Sequence, residues 1–188
     1  MISEHPMAGT RTKPVDQSTI DAAKRGDRMA QAVLLSAMQD PWFRMCLSLL
    51  RDAEQARDAT QETALRVLRL LPEFRGDSSL STWSMGIAIN VVREMRRKRR
   101  PETGEVPDVA PDNAVSPDDV AIRSEQQRVL RAALGELSDR QREVVVCRYF
   151  EEKSTEETAE IMNCAPGTVK ATLHQALRAL KNKVKMLA

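Results

Sequence analysis

The stretch Pro101–Ile122 most limits how this chain can fold. It contains four prolines and six acidic residues, has no lysine or arginine, and carries few large apolar side chains. Because prolines interrupt regular structure and like charges repel, this stretch cannot form a core and is predicted to be an extended acidic linker. The chain is therefore predicted to form two small domains, residues 16–100 and 123–188, preceded by a mobile tail, residues 1–15. Composition leaves open whether the linker is only a spacer.

Apolar residues on both sides of the linker recur at intervals of three and four, which is the spacing of one face of an α-helix. Aromatic residues make up only 3% of the chain, so a core must rest on aliphatic side chains, which favours helices over sheets. The chain is predicted to be all-α. Asp16 or Ser18 is predicted to cap the first helix. Gly26 is predicted to separate it from the second helix, and Pro41 to begin a third.

The helix that follows Arg57 is predicted to have one apolar and one polar face. Ala64, Leu65, Leu68 and Leu71 recur at helical spacing and are predicted to form the buried stripe. The opposite face is polar and carries Asp58, Gln61, Glu62, Arg66 and Arg69. Pro72 is predicted to end this helix. A polar face of this kind, close to a basic segment, suggests a surface that binds a protein on one side and nucleic acid on the other.

The loop after Pro72 leads into an apolar helix with a basic end. That helix ends in Arg96, Arg97, Lys98, Arg99 and Arg100. Five basic residues exceed what a helix end requires, so phosphate binding is favoured over a solvated helix end. Phe74 and Trp83 flank the loop and fit either core positions or stacking on an unpaired base, and the sequence leaves both open.

Two signals of capping-box form, at Ser138–Gln141 and Ser154–Glu157, predict helix starts in the second domain. The second signal opens a short helix, a turn at Asn163 and a longer helix that begins at Pro166, which is the pattern of a helix-turn-helix. The longer helix has no acidic residue. DNA binding is therefore favoured over an ordinary helical hairpin. The residues predicted to enter the major groove are Gly167, Thr168, Lys170, Ala171, His174 and Gln175.

Several function classes find no support in the sequence. It contains no phosphate-binding glycine loop, nucleophile elbow or metal-ligand spacing, so no catalytic residue, metal or cofactor is predicted. The three cysteines have no metal-binding spacing and are predicted to be reduced, apolar residues. No apolar run predicts a signal peptide or membrane insertion, so a cytoplasmic location is expected.

Three segments resemble the sigma factors of bacterial RNA polymerase, in particular the extracytoplasmic-function group. Asp58–Thr63 is similar to a D-x-x-Q-E-T segment, and Phe74–Trp83, followed by Ile87-Ala88 and Asn90, is similar to F-R-G-D-x-S-x-x-T-W and I-A-x-N. Glu156–Lys170 resembles the second helix-turn-helix of the family, although that family commonly has isoleucine at the position of Thr158 and glycine at that of Asn163. The resemblance covers nearly the whole chain.

The resemblance implies a transcription initiation factor that binds core polymerase and promoter DNA. Asp58, Gln61, Glu62 and Thr63 would contact the β′ clamp helices, and the second domain would contact the β flap. The −10 promoter element, including a flipped base, would be held by Phe74, Arg75, Asp77, Ser78, Ser79, Trp83 and Asn90. The last helices would read the −35 element. An anti-sigma factor is implied as a further partner, and the factor would associate with the nucleoid when bound to polymerase.

Two alternatives remain at this point. A DNA-binding regulator that never joins polymerase explains the helix-turn-helix but leaves Asp58–Thr63 and Phe74–Trp83 without a role. A nucleic-acid-processing enzyme requires an acidic, metal-binding cluster at the basic face, and the sequence shows none.

Overall fold

The computed structural model describes residues 15–99, 134–135 and 137–187, with side chains as far as residue 182. Every regular element in these ranges is helical, which confirms the all-α prediction. The α-helices are α1 (Gln17–Lys24), α2 (Arg28–Leu50), α3 (Ala53–Leu70), α4 (Leu80–Arg99), α5 (Asp139–Val145), α6 (Thr155–Met162) and α7 (Pro166–Leu187). A 3-10 turn, Leu71–Glu73, follows α3, and a π-helical turn, Val146–Phe150, follows α5.

The predicted linker, residues 101–122, and the first fourteen residues of the predicted tail lie outside the described ranges. None of the helices described is long and apolar enough to cross a membrane.

Aspartates begin the first three helices. Asp16, Asp27 and Asp52 each accept a hydrogen bond from a backbone N–H in the first turn, at 2.8 to 2.9 Å. The structure thus selects Asp16 over Ser18 as the first cap, and the Ser18 hydroxyl donates to the same carboxylate at 2.6 Å. These hydrogen bonds, that from Ser18 first, lower the pKa of Asp16 to about 2.

The prediction that Pro41 begins a new helix is wrong. Helix α2 runs from Arg28 to Leu50 with Pro41 inside it. A proline inside a helix removes one hydrogen bond and crowds the preceding turn. The cost is offset by packing, because Pro41 is buried and the next residue, Trp42, is fully buried. The Trp42 Nε1 also donates to the Ser84 hydroxyl of α4 at 3.1 Å, which fixes this part of α2 against α4.

Helix α3 is rotated relative to the prediction. Its fully buried residues are Ala56, Ala59, Thr63 and Val67, continued by Leu71 in the 3-10 turn. The predicted stripe is wrong at Leu65, which is 65% exposed, and Ala64 and Leu68 are only partly buried, whereas Leu71 is buried as predicted. The small side chains of Ala56 and Ala59 allow α3 to approach the neighbouring helices closely, whereas the sequence pattern weighted the larger leucines.

Helix α4 joins the N-terminal helices to the C-terminal ones. A single buried cluster includes residues from α1–α4 and from α5–α7. On the C-terminal side the Thr82 hydroxyl donates to the Glu157 carboxylate at 3.0 Å, and Arg93 forms an ion pair with Glu143 at 2.7 Å. We call this packing of α5–α7 on α4 the closed arrangement. The division of the chain into two domains at the linker stays a prediction.

Helices α6 and α7 form the predicted helix-turn-helix. Both capping boxes are present, at Ser138 with Gln141 and at Ser154 with Glu157. Asn163 ends α6 in the left-handed region with φ 50°, a conformation that asparagine tolerates better than most residues. Ala159 of α6 is buried in the shared core, where its small side chain permits close packing.

The buried hydroxyl of Thr158 leads to a stability prediction. Thr158 is 0% exposed and its hydroxyl has no hydrogen-bond partner within the described residues. Thr158→Val keeps the shape of the side chain and removes the unsatisfied group, so we expect the free energy of unfolding to rise by about 1 kcal/mol. Urea titration of the full chain measures it.

Thr63→Val is the matched control for this measurement. Thr63 is equally buried, but its hydroxyl donates to the Ala59 carbonyl at 2.6 Å. Valine at this position loses a hydrogen bond, so the free energy of unfolding should fall or stay unchanged. Equal effects of the two substitutions would contradict the argument.

Candidate nucleic-acid interface

The outer face of α3 carries most of the residues predicted to bind polymerase. Asp58 and Gln61 are exposed, and Leu65 lies one turn further along the same face. Glu62 is tied to Arg66, whose Nε lies 2.6 Å from the carboxylate. Thr63 does not belong to this face, because it is fully buried and its hydroxyl bonds to Ala59. The face is therefore polar with one large apolar side chain at its centre.

The loop between α3 and α4 surrounds a cavity of about 430 Å³. Gly76 provides the turn with φ 81°, a conformation that favours glycine. The Lys24 ammonium of α1 donates to the Phe74 carbonyl at 2.7 Å and so anchors the loop. Phe74 is buried against Trp83, with ring centroids 4.9 Å apart. The lining residues are Glu73, Phe74, Arg75, Gly76, Asp77, Ser78, Trp83 and Glu160.

The structure brings together five of the seven residues predicted for the −10 element and separates two. Ser79 does not line the cavity, since its hydroxyl accepts a hydrogen bond from the Thr82 N–H at 3.1 Å at the start of α4. Asn90 lies further along α4, in a second groove. The two aromatic rings that the sequence left undecided are both packed together and part of the cavity wall, with Phe74 the more buried.

The second groove, of about 400 Å³, is basic and runs between α3 and α4. Its lining residues are Arg66, Arg69, Leu70, Ile87, Asn90, Arg93, Glu94 and Arg97. Arg66 is neutralised by Glu94, with two contacts of 2.8 Å, and by Glu62. Hydrogen bonds from Arg66 lower the pKa of Glu94, and the two carboxylates raise that of Arg66. Arg69 and Arg97 form no ion pair with a described carboxylate, so they supply the available positive charge.

The basic end of α4 does not act as one uniform surface. Arg97, Lys98 and Arg99 are exposed, and Arg99 contacts Gln55. Arg96 differs, because its side chain is only 18% exposed and lies 3.3 Å from Asp139. The prediction that Arg96 is a free phosphate ligand does not fit the closed arrangement. Arg100 lies outside the described residues.

The N-terminal half of α7 presents all six predicted groove residues to solvent. The six, each exposed, are Gly167, Thr168, Lys170, Ala171, His174 and Gln175. On the opposite face of α7, Val169 and Ala176 are buried. Leu177, on the turn after Ala176, is 40% exposed. An exposed helix start with a lysine and hydrogen-bonding side chains has the shape and chemistry to enter a major groove.

Three relevant residues were not predicted from the sequence. Leu65 is exposed on α3, and Arg93 lines the basic groove together with Arg69, which was predicted only as part of the polar face of α3. Glu160 of α6 lines the loop cavity, so an acidic side chain from the C-terminal helices stands at this site. Whether each of these residues is exposed or lines a site depends on how segments distant in sequence pack together. Helical periodicity does not contain that information. Within the ranges described, no three His, Cys, Asp or Glu side chains lie close enough together to hold a metal ion.

Comparison with known proteins matches both halves of the chain to one family. The model "Sigma-70 region 2" matches residues 34–102, and "Sigma-70, region 4" matches residues 127–180. The RNA polymerase sigma-H factor of Pseudomonas aeruginosa is 29% identical over 187 residues, which is 94% of this chain and 97% of that protein. The ECF RNA polymerase sigma factor SigW of Bacillus subtilis is 28% identical over 89% of this chain and 96% of that protein.

A solved structure agrees with the fold. The sigma factor RpoE of Bartonella quintana, determined in complex with the anti-sigma factor NepR, aligns with a TM-score of 0.66 and 24% identity over 82% of this chain and 96% of that one. The curated relatives match over nearly the whole length of the chain. The two family models include the segments that form the face of α3, the loop, the basic groove and the start of α7. The chain belongs to the sigma-70 family of RNA polymerase sigma factors, and within it to the extracytoplasmic-function type.

Proposed function

We propose that this chain directs core RNA polymerase to promoters by reading duplex DNA with α7 and holding an opened strand at the loop cavity and groove of α3 and α4. As a sigma factor it is a transcription initiation factor that acts by binding, and it is not an enzyme. The observation that carries the proposal is the presence, in one chain, of both family regions with an exposed nucleic-acid-binding surface on each.

The −35 element is assigned to the N-terminal half of α7. Lys170 and Gln175 can bond base edges, while Thr168 and the backbone N–H groups at the helix start suit a phosphate. The neighbouring helix α6 positions α7 through the turn at Asn163. Contacts of this kind position the duplex before any strand separation occurs.

The −10 element is assigned to the loop cavity. Its size suits a single extruded base, and the Trp83 ring and the side chains of Arg75 and Asp77 offer stacking and hydrogen bonds. Extruding a base costs a few kcal/mol, and stacking returns about 1–3 kcal/mol. The phosphates of the opened strand would then lie along Arg69 and Arg97, next to Asn90.

Core polymerase is assigned to two further surfaces. The exposed face of α3, with Asp58, Gln61 and Leu65, would contact the β′ clamp helices. An apolar residue surrounded by polar ones is typical of the centre of a protein interface. On the C-terminal half, Tyr149 and Phe150 are exposed at the π-helical turn and offer an apolar surface to the β flap.

A regulatory partner is part of the proposal. The Bartonella quintana relative in fold was determined with an anti-sigma factor, and an inhibitor of that kind would cover the polymerase-binding surfaces of this chain. The proposal includes a site of action in the bacterial cytoplasm, and on the nucleoid when the factor is bound to polymerase. Membership of the family supports this, because a sigma factor works with polymerase and DNA.

Run-off transcription tests the function as a whole. Core polymerase with the purified chain is supplied with a library of promoter fragments, and we expect transcripts that start at defined positions on a subset of them. Core polymerase alone is the control. The proposal fails if the chain leaves start-site selection unchanged.

Asp58→Arg tests the face of α3. Asp58 is exposed, so the fold should be retained, while the new charge should lower the affinity for core polymerase at least tenfold, or about 1.4 kcal/mol. Asp40→Arg, an equal change at an exposed position of α2, is the control and should bind normally. Equal affinities of the two variants in a pull-down titration would remove α3 from the interface.

Lys170→Ala tests the recognition helix. Loss of this side chain should weaken binding of the holoenzyme to a duplex promoter from the run-off library by about 1–3 kcal/mol if it contacts a base, or lower the salt slope by about one if it contacts a phosphate. Lys181→Ala is the control, since Lys181 is exposed on the same helix three turns later. Fluorescence anisotropy at several salt concentrations measures both, and a larger effect of Lys181→Ala contradicts the assignment.

Asp77→Ala tests the cavity. Its exposed carboxylate can accept a hydrogen bond from an extruded base, so its loss should reduce the open fraction of promoter complexes by about tenfold while duplex binding is retained. Permanganate reactivity of unpaired thymines reports opening, and Asp40→Ala serves as the control. Normal opening by Asp77→Ala would exclude a role for this side chain.

A further inference from the structure

Arg93 belongs to two surfaces at once. It lines the basic groove with Arg69 and Arg97, and its guanidinium is bound by the Glu143 carboxylate of α5. Two contacts, Nη2 to Oε2 at 2.7 Å and Nε to Oε1 at 3.2 Å, make the pair bidentate. Glu143 is 3% exposed, whereas Arg93 is 31% exposed towards the groove. In the closed arrangement the buried carboxylate of Glu143 therefore pairs with Arg93, which would otherwise be available to a ligand in the groove.

Other carboxylates of α5 and α6 also lie against α4 or the loop before it. Arg96 lies 3.7 Å from Glu143 and 3.3 Å from Asp139, both on α5. Glu157 bonds to Thr82 at the start of α4, and Glu160 lines the loop cavity. The C-terminal helices therefore bring four carboxylates to α4 and the loop before it, and two of the four, Glu143 and Glu160, lie at a proposed nucleic-acid surface.

The closed arrangement cannot hold both promoter elements. By their names the −10 and −35 elements lie roughly 25 base pairs apart, about 85 Å along a duplex that is stiff at this length. Glu160, at the cavity, is six residues from Pro166, where α7 begins, so the cavity and the recognition helix are at most about 22 Å apart at this point. The C-terminal helices must leave α4 before the chain can bind both elements.

We propose that Arg93 is a phosphate-binding residue of the basic groove and that Glu143 occupies it in the closed arrangement, so that strand binding and the packing of α5 on α4 exclude each other. This rests on the proposed function, because it requires nucleic acid at the groove. A phosphate offers arginine the same bidentate geometry as a carboxylate. A nucleic-acid strand can therefore replace Glu143 without leaving the guanidinium unpaired.

The test measures nucleic-acid binding by the full chain without polymerase. The probe is a fluorescein-labelled single-stranded oligonucleotide of mixed sequence, roughly 20 nucleotides long, read by anisotropy. Glu143→Gln should bind it about tenfold more tightly than the unmodified chain. Glu156→Gln, which removes the same charge from an exposed position of α6, should change the affinity less than twofold. Adding Arg93→Gln to Glu143→Gln should abolish the gain.

A second readout follows the opening itself. Burial raises the pKa of the Cys147 thiol to about 12, and Cys147 is fully buried in the π-helical turn, within the cluster that the two halves share. Opening should expose this thiol. We expect Glu143→Gln to increase the rate of Cys147 alkylation at least fivefold, located by mass spectrometry, while Glu156→Gln leaves that rate unchanged.

Two further variants separate the outcomes. Asp139→Asn removes the exposed carboxylate that Arg96 shares with Arg142 and should raise the affinity two- to threefold, so this variant provides the test if Glu143→Gln does not fold. Arg97→Gln should weaken binding in every background. If Arg97→Gln weakens binding but neither Glu143→Gln nor Asp139→Asn strengthens it, the inference is overturned, whereas the proposed role of the groove in binding is supported. If none of these variants changes binding, the proposed groove is wrong as well.

Discussion

Helix α4 is packed on two sides, and the arrangement of the other helices depends on this. On one side the Ser84 hydroxyl meets Trp42 of α2, and Glu94 meets Arg66 of α3. On the other side Gly86 lies against the backbone of Ile161 in α6, where a Cβ atom would be 3.5 Å from the Ile161 carbonyl oxygen. The loop cavity begins where α4 begins, and the basic groove runs along it. Each proposed nucleic-acid surface of the N-terminal half is thus built on a helix shared with the C-terminal half.

Arginine is the residue whose role the sequence revealed least. Arg66, Arg96 and Arg142 look like surface charges in a helical pattern. In the structure Arg66 links α3 to α4, and Arg142 donates to the carbonyls of Leu134, Gly135 and Leu137. Burial lowers the pKa of Arg142, and several hydrogen bonds compensate the cost of placing its charge there. Count and spacing of basic residues therefore predicted a basic surface but not which side chains are available to a ligand.

Local signals predicted the elements, and tertiary contacts decided the exceptions. The capping residues and the turn at Asn163 are set by hydrogen bonds within a few residues, which the sequence displays directly. Pro41 was misjudged because burial of Trp42 outweighs the local cost of a proline. The face of α3 was misjudged because Ala56 and Ala59 pack more closely than leucines. The motif residues of the cavity were predicted by resemblance, whereas Glu160 was not, since it arrives from a separate segment.

The two halves share a buried apolar cluster, and the ion pair between Arg93 and Glu143 is the part of their contact that a nucleic acid could replace. A buried ion pair contributes little net stability when both partners are present, because desolvation offsets most of the attraction, but removing one partner alone costs about 3–5 kcal/mol. Separation of α5 from α4 would leave Glu143 and Arg93 without partners unless something replaces them. Water can solvate Glu143 once it is exposed, and a phosphate satisfies Arg93. The same arginine can thus be paired with Glu143 in the absence of nucleic acid and with a phosphate in its presence, whereas a hydrophobic contact at this position could not be replaced by a phosphate.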